Sequence, residues 1–245
     1  VEMHQKTISV GKILMNTYDY HGWKVSSEDQ LYHRLLDKKI NIVNDDVKEM
    51  SVIIDKHVKQ KDVAVDIGCH YGFFTKFLSE KFKTVHAFDF NNDIFECFKK
   101  NMKNFNCKNV IGYPHGLGEK QKYVATTDWS EKHNRRGPLA NHIDPKGEIR
   151  NQKIKKLDSL NLKNVGLIMM DTEGYELNVL KGARKTIKQF KPVLVMEFHT
   201  TWNNRFNNLT GRFGYDLEKL QTYVENLGYR SIGYLNKVDQ IFIPE

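Results

Sequence analysis

The sequence is poor in the features that mark secreted, metal-binding and membrane proteins. Its three cysteines, Cys69, Cys97 and Cys107, have no metal-ligand spacing and cannot all pair with one another. No run of about eighteen apolar residues is present, so no transmembrane helix and no membrane partner are expected. Residues 1–6 also lack the apolar stretch of a signal peptide. We therefore expect a reduced, cytoplasmic protein.

Charge is plentiful but is not concentrated in any one segment. The net charge is +8, yet the lysines are scattered over amphipathic segments, where such residues usually form the solvated face. An RNP-type aromatic motif, a zinc finger and a long basic run are all absent, which leaves nucleic acid as a secondary possibility for the partner. The apolar fraction of 40%, with 14 Phe and 11 Tyr, is sufficient for a folded core.

The most informative segment is Val63–Thr75, with the sequence VAVDIGCHYGFFT. An apolar run ends at Asp66, turns at Gly68 and Gly72 and continues as a helical pattern, which is typical of the first strand, glycine turn and helix of a nucleotide-cofactor domain. A second apolar run ends at Asp89, 21 positions after Gly68. At an offset of about 20 residues, a carboxylate can reach a ribose diol. The two features together predict an adenosine-type cofactor.

The glycine spacing discriminates between possible cofactors. A dinucleotide loop reads G-x-G-x-x-G, and its second glycine lets the backbone approach a pyrophosphate. His70 stands at that place, where a side chain would crowd a pyrophosphate but can touch an uncharged linker. S-adenosylmethionine has a ribose and an adenine but no phosphate, so it fits this loop better than NAD. The alternative is a tight turn that binds nothing.

Strand and helix patterns alternate along most of the chain, which predicts an α/β fold with a parallel sheet and right-handed crossovers. The alternating segments are 63–67, 72–82, 84–89, 92–104, 109–113, 165–171, 175–189 and 192–198, followed by a helix at 215–227 and an antiparallel pair at 229–234 and 240–243. Residues 1–60 are expected to form a helical extension packed on a catalytic domain over 61–245. Its helices are expected near Glu28–Lys39 and from Asp45 or Asp46 to about Val58.

Residues 126–152 have no clear period and are interpreted as an inserted loop. Long loops in compact domains are usually functional lids or irregular insertions. Trp129, His133, Arg135 and Arg136 would suit gripping a sugar ring or an anionic group. A plain surface insertion is an equal alternative.

A second cluster of acidic residues follows the apolar strand at 164–170. Asp171 ends that strand, and Glu173 and Glu176 lie at the start of the next helix. In open α/β sheets, ligands bind at the carboxyl ends of the strands, which favours a functional role for this cluster. Glu173 and Glu176 can also be explained as charges that are favourable at a helix N-terminus. Asp171 is harder to explain in that way.

On these residues the chain resembles the FkbM-like methyltransferase family. The likeness covers roughly residues 60–200 and rests on the segments Asp66–Thr75, Ala87–Asp89, Leu157–Leu160, Met170–Ala183 and Val195–Glu197. It implies a Rossmann-like class I methyltransferase with a doubly wound, mostly parallel, seven-stranded sheet. It also implies S-adenosylmethionine as the cofactor and O-methylation of a sugar or related small molecule. Two departures are visible, Cys69-His70 where the family commonly has Ala-Asn and Asp89-Phe90 where it commonly has Glu-Pro.

The resemblance and the motifs together assign candidate roles to individual residues. The turn-rich segment 112–118 is expected to edge the adenine, although a plain turn is equally possible there. The candidate cofactor-binding residues are Asp66, Gly68, His70, Tyr71, Gly72, Asp89, Phe90, Gly116 and Leu117.

The candidate bases that would take the acceptor's proton are, in order, Asp171, His199 and Glu173. Asp171 could instead hold a divalent cation, but no second ligand is identifiable, so no metal site is predicted. The Pro-Pro-aromatic motif of amino-methylating nucleic-acid enzymes is missing after Asp171, which favours an oxygen acceptor. An RNA ribose 2′-O-methyltransferase, a nicotinamide-dependent oxidoreductase and a non-catalytic cofactor-binding protein remain open as alternatives, and the sequence does not assign an oligomeric state.

Overall fold

The computed structural model describes residues 17–20, 22–26, 44–128, 141–197, 210–235 and 238–245. Its strands are β1 (Thr17–Tyr20), β2 (Trp23–Ser26), β3 (Val63–Ile67), β4 (Thr84–Phe88), β5 (Val110–Tyr113), β6 (Gly116–Leu117), β7 (Lys122–Asp128), β8 (Asn141–Asp144), β9 (Gln152–Lys155), β10 (Val165–Met170), β11 (Val193–Glu197), β12 (Tyr229–Leu235) and β13 (Asp239–Pro244). Its helices are α1 (Asn44–His57), α2 (Phe73–Lys81), α3 (Asn92–Asn104), α4 (Glu176–Gly182), α5 (Arg184–Phe190) and α6 (Leu217–Glu225), and a 3₁₀ turn spans Leu157–Leu160.

A seven-stranded sheet in the order β5-β4-β3-β10-β11-β13-β12 forms the centre of the molecule. The pairs within β5-β4-β3-β10-β11 are all parallel, while β13 runs antiparallel to both β11 and β12. The doubly wound, mostly parallel sheet expected from the sequence is confirmed. Because β3 lies between β4 and β10, the strand order reverses there, which is where open α/β sheets bind ligands.

Helices cover both faces of this sheet, so its central strands are mostly apolar. All six residues of β10 are buried. One face packs against α1 and α2 through side chains such as Met50, Ile54 and Leu78. The other packs against α4, α5 and α6 through side chains such as Leu180, Ile187 and Leu220. Burial on both faces is why the strands read as continuous apolar runs.

Residues 126–152, interpreted from the sequence as an inserted loop, include the end of β7, the whole of β8 and the first residue of β9, so that interpretation is corrected. Residues 125–128 pair antiparallel with residues 141–144, and β7 also pairs with β9 in a second sheet of order β6-β9-β7-β8. Ile143 is buried between the polar residues His142 and Asp144, and Ala125 is buried but is followed by Thr126, so the apolar period is too short to read from the sequence. The loop candidates Trp129, His133, Arg135 and Arg136 lie outside the described residues.

The N-terminal region was expected to be helical but also contains the β1–β2 hairpin. This hairpin packs on α3, where the Asn101 side chain accepts a hydrogen bond from Lys24 N at 2.5 Å and donates one to Lys24 O at 3.0 Å. Helix α1 confirms the helix expected from Asp45 or Asp46 to about Val58. The helix expected at Glu28–Lys39 lies outside the described residues.

Across the part of the chain that the structure describes, no helix combines the length and apolarity needed to cross a bilayer.

Candidate active site

Four carboxylates gather at the carboxyl edge of the large sheet. Asp66 lies within β3 next to its end, Asp89 directly follows β4, Asp171 directly follows β10, and Glu197 ends β11. These four strands are parallel, so the crossovers bring their carboxyl ends to the same edge. The acidic residues singled out in the sequence therefore lie at one edge of the sheet.

The glycine turn after β3 is shaped by close contact with the end of β10. Gly68 has φ +83°, and a Cβ atom added there would lie 1.9 Å from the carbonyl oxygen of Asp171. Its own amide donates to Phe88 O at 2.9 Å. Gly72 precedes α2 with φ +90°, and a Cβ atom there would lie 2.6 Å from Met102 Cε. Both glycines are thus required by backbone conformation and by space.

Asp89 ties the glycine turn to the start of α3. Its Oδ2 accepts the amide of His70 at 3.0 Å, and its Oδ1 accepts the amide of Asn91 at 2.8 Å. Burial raises the pKa of Asp89 to about 6, opposed by these two hydrogen bonds and increased further by the charge of Asp171. Each carboxylate oxygen retains a second lone pair. Two neighbouring acceptors of this kind are what a ribose diol requires, so the residues present fit the cofactor implied by the resemblance.

Asp66 lies in β3, two residues before Gly68, and its side chain contacts α2. It is 4% exposed and accepts a hydrogen bond from Thr75 Oγ1 at 2.5 Å. Burial raises its pKa to about 7, and the Thr75 hydroxyl opposes that shift. Asp66 therefore holds α2 against β3, and the structure assigns it a positioning role beneath the cofactor turn.

His70 and Tyr71 differ in what they can offer a cofactor. Tyr71 is fully buried with Val25, Ile94 and Cys97, and its hydroxyl accepts the amide of Ser26 at 3.2 Å. The Tyr71 side chain therefore packs against the N-terminal hairpin, and the assignment of Tyr71 as a cofactor-binding residue stays a prediction.

His70 has φ +50° and places its ring edge against Tyr71, with the ring centroids 4.1 Å apart. Burial lowers the pKa of His70 to about 3, so the imidazole is neutral. Its backbone amide, bound to Asp89, links it to the cofactor turn.

Gly116, which is expected to edge the adenine, lies close to Phe90, another candidate cofactor-binding residue. A Cβ atom added to Gly116 would lie 3.2 Å from Phe90 Cδ1 and 3.0 Å from Ile154 Cγ2, so the Phe90 ring approaches the Gly116 backbone. Leu117 is 3% exposed and belongs to the core, so only its backbone can line a pocket. Sequence reasoning missed His115, which is 6% exposed and whose Nε2 has no hydrogen-bond partner among the described residues.

Asp171, Glu173 and Glu197 bring one oxygen each to within 4.8 Å of one another. Asp171 is open to solvent on one side but otherwise crowded by protein, and this burial raises its pKa. A side-chain hydrogen bond with Glu197 opposes that shift. Burial, reinforced by the charge of Asp171, raises the pKa of Glu197 well above its usual range.

The three carboxylates form a donor set that a hard divalent cation can use. Sequence reasoning identified no second ligand beside Asp171 and missed Glu197. The available signal was that Glu197 also ends an apolar strand. That β10 and β11 are neighbours is a property of the fold.

Glu176 has a structural role in the turn between β10 and α4. Its Oε1 accepts hydrogen bonds from Thr172 N, Thr172 Oγ1 and Gly174 N at 3.1, 2.8 and 3.2 Å. It is fully buried, and burial raises its pKa to about 7. The second candidate base, His199, lies outside the described residues.

A cavity of about 370 Å³ adjoins this turn. Three basic side chains, one carboxylate and several rings and aliphatic groups line it: Lys122, Tyr123, Val124, Ala125, Ile143, Asp144, Pro145, Arg150, Tyr175, Asn178, Arg212, Phe213 and Gly214. Partial burial lowers the pKa of Arg212. The nearby charges of Asp144 and Glu173 oppose that shift. The cavity therefore lies beside the Asp171–Glu173 turn.

Comparison with known proteins agrees with this architecture. Residues 66–231 match the family described as the methyltransferase FkbM domain. "Methyltransferase 1" of Beauveria bassiana (strain ARSEF 2860) is 28% identical over 142 residues, 48% of this chain and 57% of that protein. The chain thus spans little more than half the length of this curated relative.

The chain is also similar to solved structures. The crystal structure of methyltransferase FkbM from Methylobacillus flagellatus KT has a TM-score of 0.51 and 18% identity, covering 74% of this chain and 43% of that one. A SAM-dependent methyltransferase from Aquifex aeolicus has a TM-score of 0.49 and 13% identity, covering 84% and 95%. The family match extends over most of the chain and includes the glycine turn, Asp89 and the acidic cluster, so the chain belongs to the FkbM family of class I S-adenosylmethionine-dependent methyltransferases.

Proposed function

We propose that this protein is an S-adenosylmethionine-dependent O-methyltransferase whose acceptor is the hydroxyl group of a sugar or related small molecule. The observation that carries the proposal is the placement of an adenosine-type cradle, the Gly68 turn with Asp89, directly against the Asp171–Glu197 carboxyl pair. Gly68 makes that link, since its Cα lies against the backbone of Asp171. A bound cofactor and an acceptor at Asp171 would then share one cleft.

Bound S-adenosylmethionine supplies a methyl group made electrophilic by a positively charged sulfur. The protein has to align an acceptor oxygen with that methyl group and take the hydroxyl proton as the new C–O bond forms. Asp171 is the candidate proton acceptor. Its raised pKa makes it a stronger base than an ordinary carboxylate, and the hydrogen bond with Glu197 orients it. Glu173 and His199 stay candidates for the same role.

A direct test is thermal unfolding with S-adenosylmethionine, S-adenosylhomocysteine, NADH or buffer. Ligand at a hundred times its dissociation constant adds about 2.7 kcal/mol to the free energy of unfolding. For a chain of this size, that gain raises Tm by roughly 5 to 10 °C. We expect a shift with the two sulfur compounds only. A shift with NADH alone would overturn the proposal in favour of the oxidoreductase.

The ribose assignment is tested with Asp89→Ala. Loss of hydrogen bonds to a charged acceptor costs about 1.5–3 kcal/mol, so we expect the Kd for S-adenosylhomocysteine to rise by about 10- to 100-fold. Asp93→Ala is the matched control, because Asp93 is an exposed carboxylate in the first turn of α3. Asp89→Asn, which keeps one acceptor oxygen, separates lost affinity from lost folding. Unchanged affinity in Asp89→Ala would remove the assignment.

The acceptor class is tested by transfer of a labelled methyl group to a panel of sugars and, separately, to RNA. A label that survives mild base excludes a methyl ester, and the chemical shift of the transferred methyl carbon distinguishes an O-methyl ether from an N-methyl product. RNA as the better acceptor would favour the ribose 2′-O-methyltransferase alternative, for which the net charge of +8 is the supporting observation.

A further inference from the structure

The cavity beside the acidic turn has a basic wall. Lys122, Arg150 and Arg212 line it against a single carboxylate, Asp144. Among the described residues, Lys122 and Arg150 have no ion-pair partner, and both are exposed. The charges of Lys122 and Arg150 are therefore not neutralised by ion pairs with the described side chains, whereas Arg212 interacts with Asp144 and Glu173. Such a wall attracts anions.

The floor of the same cavity is aromatic and aliphatic. Tyr175 and Phe213 meet edge to face with their ring centroids 4.9 Å apart, and Val124, Ala125 and Ile143 complete the apolar surface. Tyr175 is held by contact with the backbone of Gly118, where an added Cβ would lie 2.8 Å from Tyr175 Cε1. Apolar rings beside a few polar groups are typical of small-molecule sites, and the volume of about 370 Å³ lies in the range of such sites.

The cavity and the acidic cluster share structural elements. Tyr175 lies two residues after Glu173 in the turn that follows β10, and Arg212 interacts electrostatically with Glu173. A molecule held by Arg212 therefore lies next to the turn that carries Asp171. This neighbourhood is where the proposed function requires an acceptor.

We propose that this cavity is the acceptor site and that the acceptor carries a phosphate or carboxylate group, bound by Arg212 with Arg150 and Lys122, while its ring packs on Tyr175 and Phe213. That the bound molecule is the methyl acceptor rests on the proposed function. Arginine suits this role because its planar guanidinium can bind either anion in a bidentate way. The cavity volume of about 370 Å³ suits a small anionic sugar.

The test is a binding measurement on the full chain, with and without saturating S-adenosylhomocysteine, at constant ionic strength. The probes are glucose, glucose 6-phosphate, glucuronate, inorganic phosphate and a single-stranded RNA oligonucleotide. We expect the two anionic sugars to bind at least about 10-fold more tightly than glucose, since a hydrogen bond to a charged group contributes about 1.5–3 kcal/mol. Comparison of glucose 6-phosphate and inorganic phosphate with glucuronate shows whether the site binds a phosphate or a carboxylate group.

Arg212→Gln is the decisive variant, and Lys146→Gln is its matched control. Lys146 is an exposed lysine beside Asp144 that does not line the cavity, so its substitution removes the same charge from the same surface. We expect Arg212→Gln to weaken the binding of the anionic sugars by about 10- to 100-fold. Lys146→Gln should weaken their binding by less than about 2-fold. S-adenosylhomocysteine should bind both variants as it binds the wild type, which also reports that they are folded.

Several results would overturn the inference: equal affinity for glucose and glucose 6-phosphate, equal effects of the two substitutions, or no binding of any anionic sugar up to about 20 mM, a concentration well above the Kd of even weak specific complexes. RNA binding that is lost in Arg212→Gln, with no binding of the sugars, would replace the small acceptor by a polynucleotide. Retained anion binding without any S-adenosylhomocysteine binding would instead support the site and contradict the proposed function.

Discussion

Replacing Glu176 with glutamine tests the electrostatics of the acidic edge in a quantitative way. The carboxyl group is fully buried, and its Oε1 accepts three hydrogen bonds from Thr172 and Gly174. Its Oε2 has no hydrogen-bond partner in the described part of the chain. Glutamine can keep the accepting oxygen, so the substitution removes the titration while preserving the hydrogen bonds that shape the turn.

The sign of the effect follows from the raised pKa. Burial moves the pKa of Glu176 from 4.5 to about 7. Below pH 4.5 the carboxyl is protonated in both the folded and the unfolded chain. As the pH rises towards 7 the unfolded chain ionises while the folded chain keeps its proton, so the free energy of unfolding falls. Integrated between pH 5 and pH 8, this linkage costs the wild type about 2.5 kcal/mol, and Glu176→Gln avoids that cost.

The assay is urea unfolding followed by circular dichroism at pH 5, 6.5 and 8. We expect similar stability for the variant and the wild type at pH 5, and a relative gain of about 2–3 kcal/mol for the variant at pH 8. Other buried carboxyls titrate in both proteins and cancel in the comparison. Glu96→Gln, at an exposed position on α3, should differ from the wild type by less than about 0.5 kcal/mol at every pH. A difference for Glu176→Gln that stays constant between pH 5 and pH 8 would refute the reasoning.

Two further predictions concern the cofactor turn. Gly68→Ala should weaken S-adenosylhomocysteine binding and lower Tm, because its Cβ would lie 1.9 Å from Asp171 O at φ +83°; thermal unfolding with and without ligand measures both effects. Gly211→Ala is the control, since no heavy atom lies within 4 Å of its added Cβ. Tyr71→Phe should cost about 1 kcal/mol of stability through loss of the hydrogen bond from Ser26 N. It should leave the Kd for S-adenosylhomocysteine unchanged. A raised Kd would indicate that the Tyr71 hydroxyl contacts the cofactor.

The first half of the site was readable from local patterns. The strand, glycine turn and helix between Val63 and Lys81 follow one another along the chain, and the position of Asp89 follows from its spacing. Helix α1 was equally accessible, because Met50 and Ile54 repeat at helical spacing and both pack on the sheet.

The features that sequence reasoning missed depend on contacts between distant segments. The β1–β2 hairpin is anchored to Asn101, 77 residues after Lys24, and no local period marks so short a hairpin. Tyr71 follows the glycine motif and was interpreted with it, but its side chain turns into the cluster around Val25. Its packing was decided by a partner that the motif does not contain.

By itself, the sequence determined the class of fold, the cofactor turn and Asp171 as the centre of the second cluster, because apolar periodicity and glycine conformation act over a few neighbouring residues. Only the tertiary structure decided that Glu197 pairs with Asp171 and that Arg212 lies beside Glu173. Those pairs join residues that are 26 and 39 positions apart. Their proximity depends on strand order and on the packing of the second sheet against α4, neither of which has a local signature.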